Sequence, residues 1–235
     1  MTGKQKESIF GYFTHWSEER KLTWLLAALI FDTVIVYPLV GVVESRIAIQ
    51  IINSVVLSAI FLLGLVALTS RKISRRVLGA PVVIIISIRF LRLVFGANWL
   101  TVWEISLSLV TVIIFVYLLL RYVYKEGTVT RQRIQGAVAA YLLIAITFAV
   151  SYHLTSLLIP GAFAVQDKAP NLNDFNFNYF SVTTITTLGY GDIIPVHPIS
   201  RTLAMMEALI GQLYPAILLA RLVSSYVLHS QRPDK

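Results

Sequence analysis

The chain has 235 residues, of which 57% are hydrophobic and only 14% charged, with a formal net charge of +8 and no cysteine. Soluble domains carry about a quarter charged residues, so this composition argues for residence in a membrane. It also excludes disulfides and thiolate metal sites, and the basic residues lie in short loops between apolar runs rather than in a nucleic-acid patch.

Residues 1–21 precede the first apolar run. Ile9, Phe10, Phe13 and Trp16 fall near helical spacing there, which suits either a short amphipathic helix in the cytoplasmic interface or a frayed tail. No cleavable signal is expected, because the apolar run after Glu18, Glu19, Arg20 and Lys21 is too long for one. Six runs are long enough to cross a hydrocarbon core of about 30 Å at about 1.5 Å per residue. They are Leu22–Val43, Ile47–Leu68, Val77–Phe95, Thr101–Leu120, Gly136–Leu158 and Ile199–Leu228.

The loop charges support that number. Lys4, Lys6, Arg20 and Lys21 precede the first run, and Arg71, Lys72, Arg75 and Arg76 follow the second. Arg121, Lys125, Arg131 and Arg133 follow the fourth, and Arg221, Arg232 and Lys235 close the sixth. With six runs these fifteen share one side, and only Arg46, Lys168 and Arg201 lie on the other. The asymmetry places both termini in the cytoplasm of a multi-pass protein of the cell's inner (plasma) membrane. The expected domains are a four-span unit over 22–123, a linker over 124–135, a two-span unit over 136–228 and a short tail over 229–235, with no soluble domain at either end.

Within the first unit Asp32 and Arg89 have matching depths, about 15–18 Å above the cytoplasmic side by helix rise. Arg92 lies one turn further out, near Glu104 at the start of the fourth run. Intramembrane charges are costly and pair, so Asp32–Arg89 and Arg92–Glu104 are the expected pairs.

The insert between the fifth and sixth runs is the informative one. "QDKAPNLNDFNFN" is a polar, turn-rich turret, and "YFSVTTITT" after it supports a short helix capped by Asp174 or Asn176. The helix, expected over 175–186, is too short to span and must re-enter from outside. Then comes "TLGYGD", Thr187 to Asp192. Irregular backbone at membrane depth survives only buried in protein or lining a watery path. Gly189 and Gly191 permit positive φ, and alternating φ signs point successive carbonyls the same way, as ligands for a cation.

Thr187-Leu188-Gly189-Tyr190-Gly191-Asp192 resembles the potassium-channel signature TVGYGD. The order of span, short helix, filter and span over Gly136–Leu228 is similar to that family's pore module, and the whole resembles a small bacterial six-span potassium channel. The resemblance implies an all-α membrane protein with six transmembrane helices, a re-entrant pore helix and an extended selectivity filter. It implies a homotetramer among membrane lipids that conducts K+ passively. K+ would be held at Thr187, Leu188, Gly189 and Tyr190 within a filter running to Gly191, with the Thr187 hydroxyl innermost and the Tyr190 ring turned away as a brace. Leu188 stands where valine is commoner, and Thr183 stands where the family often has an acid. Tyr179 is expected to donate to Asp192 and stiffen the outer filter.

Glu207 in the last run is expected to bond the pore helix or a neighbouring subunit. Gly211 and Pro215, four residues apart, are candidates for a gating hinge or for close helix packing. His153 reads as a buried, satisfied histidine and His197 as a loop histidine. The fourth run has no basic residue before Arg121, so strong voltage gating is not expected; voltage-gated relatives carry a ladder of arginines there. No nucleophile–histidine–acid spacing or phosphate loop suggests an enzyme, and no organic cofactor or nucleic-acid partner is implied. The alternatives are a non-selective cation channel, which calls for a disrupted filter string, and a secondary transporter, which favours internal repeats.

Overall fold

The computed structural model describes residues 18–36, 46–68, 75–95, 98–125, 130–165 and 174–230. These residues are mostly helical. In chain order they form α1 (Glu18–Phe31), continued by a π-helical turn (Asp32–Val36), then α2 (Arg46–Leu68), α3 (Arg75–Phe95) and a 3-10 turn (Asn98–Leu100). After these come α4 (Thr101–Val123), α5 (Arg131–Leu158), β1 (Phe163–Val165), α6 (Asp174–Ile185), β2 (Ile193–Pro195) and α7 (Pro198–Ser230).

Among the described residues, three helices are long and apolar enough to cross a membrane: α4, α5 and the Pro198–Arg221 part of α7. The apolar stretch Ser54–Leu68 in α2 is shorter. The other expected runs are helical where described, and 37–45, the end of the first run, lie outside the described residues. So do 1–17, 166–173 and 231–235, which hold the expected amphipathic helix, most of the turret and the tail.

The helices pack as two groups joined along α5. Helices α1 to α4 bundle together, and both α1 and α4 lie against α5. Leu25 and Leu29 of α1, Phe61 of α2, Ile85 of α3 and Phe115 and Leu119 of α4 are buried in one core that continues to Leu143 of α5. The connection from α4 to α5 is short, so the first unit packs on the helix that follows it directly. Thr130 caps α5 by accepting from the Arg133 N–H at 3.4 Å. Along α5, Thr147, Ser151 and Thr155 each donate to the carbonyl four residues back, which satisfies hydroxyls that would be costly in an apolar layer.

Helix α5 ends before Pro160, and Gly161 turns the chain at φ 81°. β1 then pairs antiparallel with β2, Phe163 opposite Pro195 and Val165 opposite Ile193. The Ala162 carbonyl gathers the Val196 N–H at 2.9 Å and the Ser200 hydroxyl at 2.8 Å. This ribbon, which the sequence reading did not anticipate, ties the end of α5 to the start of α7. It brackets the 12-residue α6 from outside. Phe163 packs edge-on against Phe177 and Phe180 of α6, with centroids 5.1 and 5.8 Å apart.

Candidate functional site

Twelve residues of isolated helix are marginal, so α6 depends on what seats it. Helices α5 and α7 both pack against it. At its middle, Ser181 is fully buried and its hydroxyl lies within hydrogen-bond distance of both Glu207 and the Ala145 carbonyl. Tyr152 donates its hydroxyl to the other Glu207 oxygen at 2.5 Å. Glu207 has no exposed surface, and its carboxylate joins α5, α6 and α7. The expected bond from Glu207 to the short helix is therefore present, through Ser181. Tyr152 and Ser181 were not singled out in the sequence; a buried acid in an apolar helix signals that donors must exist without saying which.

At the C-terminal end of α6, Tyr141 donates to the Ile185 carbonyl at 3.0 Å, and the Tyr141 ring stacks on Tyr214, which donates to the Ala137 carbonyl at 2.8 Å. Gly211 lies directly beneath Ile185, where a Cβ would run into the Ile185 carbonyl oxygen. Of the two readings of Gly211, close packing has a visible cause. Helix α7 runs unbroken through Gly211 and Pro215.

Beyond Ile185 the chain extends from the helix end. The Thr183 carbonyl accepts the Leu188 N–H at 2.8 Å and the Gly189 N–H at 3.1 Å, while the Thr183 hydroxyl donates to the Phe180 carbonyl at 3.0 Å. φ is 60° at Thr187, 51° at Gly189 and 81° at Gly191, and Leu188 and Tyr190 between them are not positive. Every second residue from 187 to 191 is thus left-handed, and two of those three are glycines, which adopt it at little cost. Thr187, the one residue with a Cβ in this conformation, stores strain of about 1–3 kcal/mol. Leu188 and Tyr190 are exposed on the single chain. The Tyr179 ring stacks on that of Tyr190, with centroids 6.4 Å apart and planes 5° apart.

The charges of the first unit depart from expectation in one pair. Arg92 binds Glu104, as expected. Arg89 also turns to Glu104, with Nε 2.7 Å from Oε1, and not to Asp32. Matching depth does not fix the direction in which a side chain leaves its helix, and Glu104 lies on α4, which packs directly on α3. Asp32 instead faces a cleft against α5 and α6. Of the remaining residues, His153 stacks on Phe177, and His197 Nδ1 accepts the Ile199 N–H at 3.3 Å. Arg221 was read only as a loop charge. It donates to the Val123 and Lys125 carbonyls at 2.8 and 2.9 Å and lies over the Tyr124 ring, fastening α7 to the end of α4. Among the described residues no cluster of histidine and acids suits a metal ion.

Residues 139–227 match the model of a family described as ion channel. The chain is also similar to the inward rectifier potassium channel Kirbac3.1 of Paramagnetospirillum magnetotacticum, 39% identical over 70 residues. That similarity covers 28% of this chain and 24% of the relative, so the chain spans about a quarter of the relative's length. No solved structure matches. The matched segment holds α6, the 187–191 stretch, all of α7's apolar part and most of α5. Over that segment the chain is similar to ion channels, and the Pro198–Arg221 part of α7 within it is long and apolar enough to cross a membrane.

Two outcomes are expected of this geometry. Glu207→Ala strands the Tyr152 hydroxyl in an apolar site, at about 1–3 kcal/mol for the unmade bond, and leaves Ser181 with the Ala145 carbonyl alone. Denaturation in mixed micelles should show a loss of that order, with Glu207→Gln losing less; equal stability of Glu207→Ala and the parent would contradict it. In the first unit, Glu104→Gln leaves two arginines without their acid, which for a buried pair costs about 3–5 kcal/mol. A double-mutant cycle should give Arg89→Gln and Glu104→Gln a coupling of about 0.5–3 kcal/mol, and Arg89→Gln with Asp32→Asn none.

Proposed function

We propose that the protein is a potassium-selective channel that conducts K+ passively through a pore formed by four copies of the chain. The observation that carries this reading is the alternation of φ signs from Thr187 to Gly191, on a chain whose Leu188 and Gly189 amides hang from the Thr183 carbonyl at the end of α6. Alternating handedness turns successive carbonyls to one side of the strand. Such a column replaces the water around a dehydrated K+. In this reading Thr187, Leu188, Gly189 and Tyr190 supply the oxygens, Gly191 and Asp192 close the outer end, and Tyr179 braces the filter through its stack on Tyr190. α6 is then the re-entrant pore helix, its C-terminal partial negative charge directed at the ion path.

A ring of four copies suits this reading. One chain offers oxygens from one side only, and a cation stripped of water needs them all round. The faces that would meet neighbours are apolar and open on the single chain: Leu188 and Tyr190 in the filter, and Met205, Leu209 and Leu213 along α7. A closed ring of identical subunits buries all of them by one repeated contact. The similarity to a potassium channel agrees with the choice of ion. In the six-span topology read from the loop charges, both termini face the cytoplasm.

In liposomes with opposed K+ and Na+ gradients, the reversal potential should lie near that of K+. A reversal near the Na+ potential, or electroneutral exchange alone, would refute the reading. Gly191→Ala should abolish the current, because a Cβ at φ 81° is disfavoured by about 1–2 kcal/mol in each subunit.

Gating by voltage is not part of the proposal. α4 begins with Glu104 and holds no basic residue until Arg121. Arg89 and Arg92 share Glu104, so the three side chains moving as a unit carry one net charge. That yields about 2.3 kcal/mol per subunit over 100 mV, and only if the unit crosses the whole field. Because Glu104 holds both arginines in place and the unit is not expected to cross the field, bilayer recordings in symmetrical K+ should show a shallow dependence of open probability between about −120 and +120 mV, although full passage of one charge over that range would be worth about 5.5 kcal/mol. Steep opening that disappears in Arg89→Gln would overturn this.

A further inference from the structure

Asp32 sits in the π-helical turn after α1 with 7% of its surface exposed. It lines a cleft between the first unit and the two helices behind the filter. Leu142 and Ile146 of α5 and Val182 of α6 form an apolar wall, and Asn178 and Tyr179 of α6 a polar edge. No residue lining the cleft is basic. Both ion pairs among the described residues belong to Glu104, so neither Arg89 nor Arg92 serves Asp32. A carboxylate this deeply enclosed without a cation is expensive.

The lining indicates which cation would relieve it. Inorganic cations bound by proteins gather about six or more oxygens in the case of hard divalent ions. Here one carboxylate faces a mostly apolar slot, and the neighbouring Thr33 hydroxyl is already donating to the Leu29 carbonyl at 2.9 Å. One negative charge at the end of an apolar slot complements one ammonium group on an apolar body. We propose that this cleft is a binding site for amphiphilic amines, with the ammonium on Asp32 and the alkyl or aryl body along Leu142, Ile146 and Val182. Tyr179 both edges the cleft and stacks on Tyr190, so an occupant would touch the support of the filter and alter conduction. That consequence rests on the potassium-channel reading; the binding does not.

The test uses the full chain in phosphatidylcholine nanodiscs and a diazirine-bearing octylammonium, with labelled residues mapped by mass spectrometry. Labelling is expected within 32–36, 142–146 and 178–182, displaced by octylammonium and not by octanol. Asp32→Asn should reduce it by about tenfold or more, as loss of one ion pair worth about 1.4 kcal/mol requires, while Asp32→Glu retains it. Each variant is checked for the parent's elution volume. Labelling confined to α7, spread along lipid-facing helices, unchanged by Asp32→Asn, or displaced equally by octanol overturns the proposal. Should Asp32→Asn not elute as the parent does, the map and the octanol comparison on the unaltered chain decide it. Potassium flux is recorded separately: mapped labelling with no flux upholds the cleft and removes the channel reading, and flux without labelling does the reverse.

Discussion

The buried carboxylate of Glu207 is the constraint from which the geometry around the short helix follows. A helix of 12 residues cannot hold its own height or rotation. Here Ser181 fixes it laterally to Glu207 of α7, and Tyr152 fixes the same acid to α5. Below, the Ile185 carbonyl rests on Gly211 and takes the Tyr141 hydroxyl. With both middle and end fixed, the Thr183 carbonyl has one position, and the Leu188 and Gly189 amides bonded to it inherit that position. The strained φ of Thr187 is then held from behind by packing, as sparsely populated backbone states require. A buried acid adds little net stability compared with an apolar substitute. Its value here is that only one arrangement of three helices satisfies it.

Much of this was legible before the fold was seen, and the reasons differ by residue. The Thr187–Asp192 string announces itself because glycine spacing encodes backbone handedness, which is a local property. Arg92 and Glu104 were paired correctly from depth alone, since they flank one tight connection between α3 and α4. Asp32 and Arg89 have the same depth and do not meet, because depth says nothing about azimuth. Tyr179 lies beside the string as its place on the short helix suggests, and the stack of its ring on Tyr190 was not foreseen, because residue spacing does not give the orientation of a ring. Tyr141, Tyr152 and Tyr214 were passed over since a tyrosine in an apolar helix has two uses, interface anchor or internal donor, and periodicity does not separate them. The β1–β2 ribbon spans only three residues a side and carries no alternation long enough to detect.

Helices α1 to α4 and helices α5 to α7 meet at more than one level, and the contacts differ in kind. Near the expected cytoplasmic side, Arg221 of α7 donates to the Val123 carbonyl, at the partially negative end of α4, and to the Lys125 carbonyl just beyond it. A polar clamp of this sort is directional, and any displacement of α4 along its axis pulls on α7. Closer to the 187–191 stretch, the contact is the cleft at Asp32, where apolar walls leave a gap that an acid enters. The first contact is a set of directional hydrogen bonds, and the second is a gap between apolar walls. Because α4 runs into α5 through a short connection and packs along it, both act within one chain.

Glu104 sets what kind of signal the first unit is able to carry. With two arginines on one acid, α3 and α4 are stapled at the end where the chain turns between them. Arg89 Nη1 and Arg92 Nε remain buried without acceptors, so the cluster is short of negative charge, while Asp32 across the bundle is short of positive charge. Bringing Arg89 to Asp32 would break its 2.7 Å pair with Glu104 and leave Glu104 with one of its two partners. A bundle stapled in this way opposes movement of α3 past α4, and leaves the acid at the α1 end facing its cleft without a basic partner among the described residues.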